Sequence, residues 1–337
     1  MKEIVSSLRC GRIPIYPSTG HSGPTPAPAN RSRTRLFVEF LPGLLFRAVM
    51  WLLSWLPCSI AVPLARQLGR CRGSRPKELA ELRRANMKVS LGASDAQTRE
   101  WTTQAVELEA QEAYESWLFH RKSGKRTLRK LLEIRGIEHL NEVLARGQGA
   151  ILCTSHARGL FKLLYVLAAS GHTVNAIRRR RQPQINPFRE WFELQRTLVR
   201  NDVGVNFLWM QRENFGVGVK AVNALKRNEI VVSLVDVTRP TEGLRVEFLG
   251  RSAEHPLGPI LLARTSGAPL LTCFVHPEPG GIRYIAEIGG PVYPAEDLPR
   301  TVQGLVKRLE EEIRAYPASW IPWFITESDF SNRAGGQ

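Results

Sequence analysis

The chain has 337 residues, 43% of them hydrophobic, with five cysteines and 47 Lys+Arg against 31 Asp+Glu, for a formal charge of +16. That composition excludes a disulfide-stapled mini-protein, a collagen-like fibre and a wholly disordered chain, and leaves ample residues for a core. The charge points to an anionic partner: nucleic acid, a membrane surface, or an acidic protein or substrate.

Residues 1–35 are rich in Pro, Ser, Thr, Gly and Arg and lack hydrophobic periodicity, which predicts a solvated, disordered tail. From Leu36 to Ala65 the composition inverts, with Glu39 and Arg47 as the only charges and an uncharged run over Ala48–Ala65. At ~1.5 Å per residue that run reaches ~27 Å, near the lower limit for a bilayer span, so residues 36–65 are expected to form an N-terminal hydrophobic anchor helix. Trp51 and Trp55 suit a membrane interface, while Pro57 and Pro63 leave a kinked or half-inserted helix, or a buried core helix, as alternatives. Basic residues are denser after the run (Arg66, Arg70, Arg72, Arg75, Lys77) than before it, which predicts a downstream domain facing the cytoplasm. Cys10, Cys58, Cys71, Cys153 and Cys273 form no C-x-x-C pair and do not cluster with His, so they are expected to be reduced thiols, with no metal site and no bound cofactor.

Residues 66–330 are expected to form one α/β domain with a largely parallel sheet, followed by a flexible tail over 331–337. Ser94-Asp95-Ala96-Gln97 reads as a capping box opening a long helix that carries Trp101, Ala105, Leu108, Trp117 and Leu118. Strand-length apolar runs follow at Ala150–Thr154, Thr173–Ile177, Val205–Trp209, Ile230–Val235, Pro269–Val275 and Ile282–Ile288. Helix candidates alternate with them near Ile137–Arg146, Gly159–Ala169, Pro187–Arg200, Gly216–Lys226, Pro256–Thr265 and Thr301–Tyr316. No G-x-G-x-x-G or Walker loop is present.

Ligands of open α/β sheets bind at the carboxyl ends of strands, and His156 lies just past one, in CTSHARGLF. It is placed as a general base would be, or as a loop histidine satisfied by backbone groups. Between Val143 and Arg189 there is no Asp or Glu, while Arg146, Arg158, Lys162, Arg178, Arg179, Arg180, Arg181 and Arg189 are all present. Such a surface suits phosphate or another anion, specific or as a membrane surface; nucleic acid is the weaker reading, because aromatics are not interleaved with the basic run. Asp236, with Arg239 behind it, ends the Ile230–Val235 run. It could orient His156, bind substrate, or cap the following turn. Gly250, His255 and Gly258 precede a helix, where glycine permits close backbone approach to a ligand or simply makes a turn.

The order of RRANMKVSLG, IRGIEHLNEVLARGQGAILCTSH, ALKRNEIVVSLVD, VEFLGRSAEHPLGPILLARTSGAPLL and IRAYPASWIPWF resembles the late acyltransferases of lipid A biosynthesis, the lauroyl/myristoyl transferases of the lysophospholipid acyltransferase superfamily. The resemblance covers roughly residues 36–325. It implies a glycerolipid-acyltransferase-like α/β domain anchored in the bacterial inner membrane and facing the cytoplasm. It also implies an acyl carrier protein or acyl-CoA donor and an anionic lipid acceptor, with no nucleic acid. In the family's H-x4-D/E motif the His deprotonates the acceptor hydroxyl and the carboxylate fixes the His tautomer.

His156 matches the motif His, but the acidic slot holds Phe161. A surrogate carboxylate must come from far along the chain, with Asp236 the first candidate and Asp202 or Glu213 behind it. The family's acidic-Gln-acidic segment reads Asp236-Val237-Thr238, and its usual Arg pair near the end is replaced in Trp323-Phe324-Ile325-Thr326, which points away from lipid A itself as acceptor. The leading expectation is acyl transfer with His156 and Asp236 as catalytic residues. Arg158, the Arg178, Arg179, Arg180 and Arg181 cluster, Arg239 and Gly258 are the expected substrate-binding residues. The alternative, on the warrant of Phe161, is a catalytically degenerate scaffold that binds anionic lipid or carrier protein.

Overall fold

A computed structural model describes residues 45–46, 48–73, 77–119, 122–179, 205–210, 216–236, 243–294 and 297–324. The expected tails at 1–35 and 331–337, and the helix candidate Pro187–Arg200, lie outside the described residues.

Before the sheet come α1 (Cys58–Arg72), α2 (Lys77–Leu91), α3 (Asp95–Leu118) and α4 (Lys122–Lys130). Next come β1 (Leu132–Arg135), α5 (Ile137–Ala145), β2 (Ala150–Thr154), α6 (Leu160–Ala169), β3 (Val174–Arg179), β4 (Val205–Met210), α7 (Gly216–Lys226) and β5 (Ile230–Leu234). The chain continues through β6 (Gly243–Phe248), β7 (Arg251–Pro256), α8 (Gly258–Ser266), β8 (Leu270–Pro277), β9 (Tyr284–Ile288) and α9 (Leu298–Ala315). A short 3₁₀ turn, Pro322–Phe324, follows.

The main sheet runs in the order β1-β9-β8-β2-β5-β3-β4. Its pairs are parallel except β8 with β9, and β6 and β7 make a separate antiparallel hairpin. Both faces of the central strands are covered, as expected for near-continuous apolar runs. Ala150 and Leu152 look into a core shared with α1, α3 and α6, whereas Ile151 and Cys153 look into a second core built with α7, α8, α9 and the hairpin. The capping box is present: the Ser94 hydroxyl accepts from the Gln97 amide at 3.2 Å, and the Ser94 amide donates to the Gln97 side chain at 2.9 Å.

The expected anchor helix over 36–65 is not supported among the described residues, and residues 36–44 and 47 of it lie outside them. Residues 48–53 are helical, but the segment then tightens, with Trp55 and Leu56 amides bonding carbonyls only three residues back, and Pro57 adopts the extended ψ of 143°. Proline has no N–H to continue a helical ladder. The apolar run is therefore split, and its second half is α1, whose Ala61, Val62, Ala65 and Gly69 are buried in the domain. No helix among the described residues is long and apolar enough to cross a membrane.

Candidate active site

The register of the sheet builds the site. Strands β2 and β5 are parallel neighbours with Thr154 opposite Leu234, and the ladder continues one step through the Val235 amide, which donates to the Thr154 carbonyl at 2.8 Å. The second residue beyond each strand is His156 on one and Asp236 on the other, so they emerge side by side at the carboxyl edge, about one strand spacing (~4.8 Å) apart.

The two side chains are bonded. His156 Nδ1 lies 2.8 Å from Asp236 Oδ1, and the His156 backbone N–H donates to Asp236 Oδ2 at 2.6 Å. The Trp320 indole N–H donates to the same Oδ2 at 2.9 Å. Asp236 is fully buried, which pushes its carboxyl up, but the positive charge of His156 and these hydrogen bonds outweigh burial and hold it below the usual carboxylate range. An ionised Asp236 is acceptor-only, so His156 Nδ1 carries the proton, and in the neutral imidazole Nε2 is then the basic nitrogen. The His156 side chain is 30% exposed, leaving the ring accessible from outside while Asp236 is not.

Two further supports fix the His156 loop. Behind it the chain enters α6 through Gly159, at φ +90, where an added Cβ would stand 2.8 Å from both Tyr284 Cδ1 and Val275 Cγ1. Glycine is required there. In front, the C-terminal segment lies antiparallel to the loop: the Arg158 amide donates to the Ser319 carbonyl at 3.0 Å, and the Ile321 amide to the His156 carbonyl at 2.9 Å.

The expected binding residues are distributed differently. Arg158 is turned inward, with Nη1 2.7 Å from Glu112 and Nη2 2.7 Å from Glu109, both on α3. Burial works against its charge, but those carboxylates raise its proton affinity overall. Arg178 lies on β3 with its guanidinium carbon 5.5 Å from the ring centroids of both Phe207 and Trp209, and Arg179 closes the same strand. Gly258 is exposed at the start of α8, just after His255, whose ring Nδ1 lies 3.0 Å from the Val235 carbonyl beside Asp236. Arg180, Arg181, Arg239, Asp202 and Glu213 lie outside the described residues. Phe161 takes the second position of α6 and is half-buried. Sequence reasoning missed Trp320, Glu109 and Glu112, all distant in sequence from the residues they hold.

With this geometry in view, the family model for bacterial lipid A biosynthesis acyltransferases matches residues 30–326. The chain belongs to that family. Among curated proteins, this family member is similar to the phosphatidylinositol mannoside acyltransferase of Mycobacterium tuberculosis (strain CDC 1551 / Oshkosh), 27% identical over 227 residues, covering 64% of this chain and 66% of that protein. It is also similar to the phosphatidylinositol mannoside acyltransferase of Mycolicibacterium smegmatis, 25% identical over 194 residues, covering 56% and 60% of the two chains. The match thus spans just under two thirds of the length of these mycobacterial relatives.

Proposed function

We propose that this acyltransferase-family protein moves a fatty acyl group from a thioester, on acyl carrier protein or coenzyme A, to a hydroxyl of an anionic lipid, with His156 as general base and Asp236 as its orienting acid. The observation that carries the reading is the buried Asp236 carboxylate 2.8 Å from Nδ1 of a partly exposed histidine, at adjacent strand ends. His156 Nε2 takes the acceptor's hydroxyl proton as the oxygen attacks the thioester carbonyl. The C–O bond forms, the C–S bond breaks, and the departing thiolate takes the proton from the imidazolium. Asp236 stabilises that imidazolium while remaining ionised, so no covalent enzyme intermediate is needed. A scaffold kept only to bind has no use for this arrangement, which disfavours the degenerate reading.

The relatives' name describes a phospholipid carrying sugar hydroxyls, which suits an acceptor combining phosphate with a free hydroxyl. Arg178, near the end of the strand beyond Asp236, is the residue we propose to draw such a phosphate toward the carboxyl edge, with Arg179, Arg180, Arg181 and Arg239 proposed from the sequence as further contributors.

Attachment to the cytoplasmic face of the inner membrane is part of the same proposal, by interfacial docking through the split apolar segment. On α1, Ile60, Leu64 and Leu68 are exposed at four-residue intervals, and Trp51, Leu52, Trp55 and Leu56 are exposed in the segment before it. Such a ridge, next to basic residues, is the pattern of an interfacial helix.

The test is mass spectrometry of lipids from cells carrying the native protein or His156→Ala. A lipid that gains one acyl chain only with the native protein supports the reading and identifies the acceptor. Coincident profiles, together with no transfer by purified protein from either thioester donor, would reject it.

A further inference from the structure

Asp236 accepts hydrogen bonds from three donors among the described residues, and they divide unequally between its oxygens. Oδ1 faces His156 Nδ1, while Oδ2 takes both the His156 amide at 2.6 Å and the Trp320 indole N–H at 2.9 Å. The amide bond alone leaves the carboxylate free to pivot about that contact. The indole, arriving from the far end of the chain, supplies a second fixed point. Resting on the reading of His156 as base, we infer that Trp320 is a positioning residue of the dyad, locking the Asp236 carboxylate so that Oδ1 meets His156 Nδ1–H.

The indole is itself held on several sides. Its ring packs edge-on against Trp323 at 4.6 Å and against Phe248 at 6.1 Å between centroids, and Phe248 in turn meets His255 at 4.9 Å. The backbone around it is paired with the His156 loop through Ala157 and Trp320, and Asn86 of α2 donates to the Trp323 carbonyl at 2.7 Å. One short segment therefore touches both members of the dyad: the Ile321 amide bonds the His156 carbonyl, and the Trp320 ring bonds the Asp236 carboxylate. Trp323, in the same aromatic cluster, gives its N–H instead to the Pro317 carbonyl at 2.7 Å, so it shares the packing but not the contact with Asp236.

That pair of tryptophans provides the experiment. In ¹⁵N-imidazole NMR of the full chain, with His156 assigned by its absence in H156A, the native ring is expected as the Nδ1–H tautomer. Trp320→Phe is expected to give a mixture of tautomers, and Trp323→Phe to leave the native signal. Where Phe at position 320 costs the fold, 3-benzothienylalanine, which keeps the bicyclic shape and lacks only the N–H, makes the same comparison. On the transfer assay, loss of the N–H at 320 is expected to lower kcat roughly tenfold with KM within about twofold, and W323F to stay within about twofold. A pure Nδ1–H tautomer in the variant lacking the 320 N–H, or equal kcat losses at 320 and 323, would overturn the inference. Absence of transfer by the native protein would instead overturn the reading of the dyad as base, and the tautomer spectra would still judge Trp320.

Discussion

His156 and Lys162 lie a few residues apart on one stretch of chain, and each meets a carboxylate brought from elsewhere. His156 faces Asp236 across the carboxyl edge of the sheet, whereas Lys162, on α6, puts Nζ 2.7 Å from Glu115 of α3 and 3.8 Å from the centroid of the Tyr284 ring. Glu115 also accepts from Gln111 at 2.8 Å. Both members of the Lys162 pair are buried, and burial penalises each charge, pushing Glu115 up and Lys162 down from their ordinary ranges. The neighbouring Arg158 also pairs with α3, through Glu109 and Glu112, whose side chains are more exposed than that of Glu115. The difference lies in access: the His156 side chain is 30% exposed, whereas Lys162 and Glu115 are both buried. Buried charge pairing alone therefore does not mark a catalytic group, and the proposed base differs from Lys162 in having one side open.

The sharpest way to break this comparison is to exchange the effects of the two pairs. In Asp236→Asn the two N–H groups on Oδ2 select the amide oxygen, so the NH₂ group faces His156 Nδ1 and forces the proton onto Nε2. That tautomer cannot act as base, and kcat is expected to fall ~10²–10⁴-fold with the melting temperature within a few degrees of native. Lys162→Met should do the reverse. It strands Glu115 in the core, costing about 3–5 kcal/mol in urea unfolding, while kcat per folded molecule is retained. Replacing both partners, Glu115→Leu with Lys162→Met, is expected to recover most of that loss, because two apolar groups remove the uncompensated charge. A Lys162 variant that loses activity without losing stability would erase the distinction.

A smaller effect separates the states of Asp236. Its folded carboxyl titrates below the ordinary value of about 3.9, so the stability it contributes is present above that value and is lost as pH falls through the folded one. The difference in unfolding free energy between native protein and D236N is expected to shrink as pH falls below about 4, by on the order of 1–3 kcal/mol. Urea titrations at a series of pH values measure it directly, and the other carboxylates cancel in the difference. A difference that failed to shrink as pH fell below about 4 would mean an acid already neutral there, and the tautomer argument would fall with it.

Much of this was legible before any coordinates. The run Ala150–Thr154 is β2 without adjustment, Gly216–Lys226 is α7, and the capping box at Ser94 opens α3, because each is written in local periodicity or local hydrogen bonding. The hairpin β6–β7 is hidden in the sequence because Arg245, Glu247, Arg251 and Glu254 interrupt its apolar residues, although Gly250, at positive φ beside Leu249, gives its turn a local signal. In the apolar run before Ala65, hydropathy favours one element while Pro57 signals the break that the structure shows there. In the site, His156 and Asp236 were visible because each follows an apolar strand. Their pairing was only one of several readings, since it depends on the register of β2 against β5. Trp320 and the glutamates of α3 act across the fold, and nothing in their local sequence announces the contact.

The smallest expected effect bears on the residue that departs from the family pattern. Restoring the motif acid with Phe161→Asp places a carboxylate in the first turn of α6, where the helix N-terminus favours negative charge. In a protein whose histidine lacked a partner, that change would raise activity by a large factor. Here Nδ1 is already engaged by Asp236, and an imidazole has only one such nitrogen to give. A second carboxylate on the following helix can add field but cannot add the bond. Transfer by F161D is therefore expected to stay within about twofold of native, on the scale where 1.36 kcal/mol would be tenfold, and F161D combined with D236N is the informative arm. If the double variant remained as slow as D236N, the distant acid would be the sole orienting group; if it recovered, position 161 would be within reach of His156, and the two carboxylates would be interchangeable routes to one tautomer.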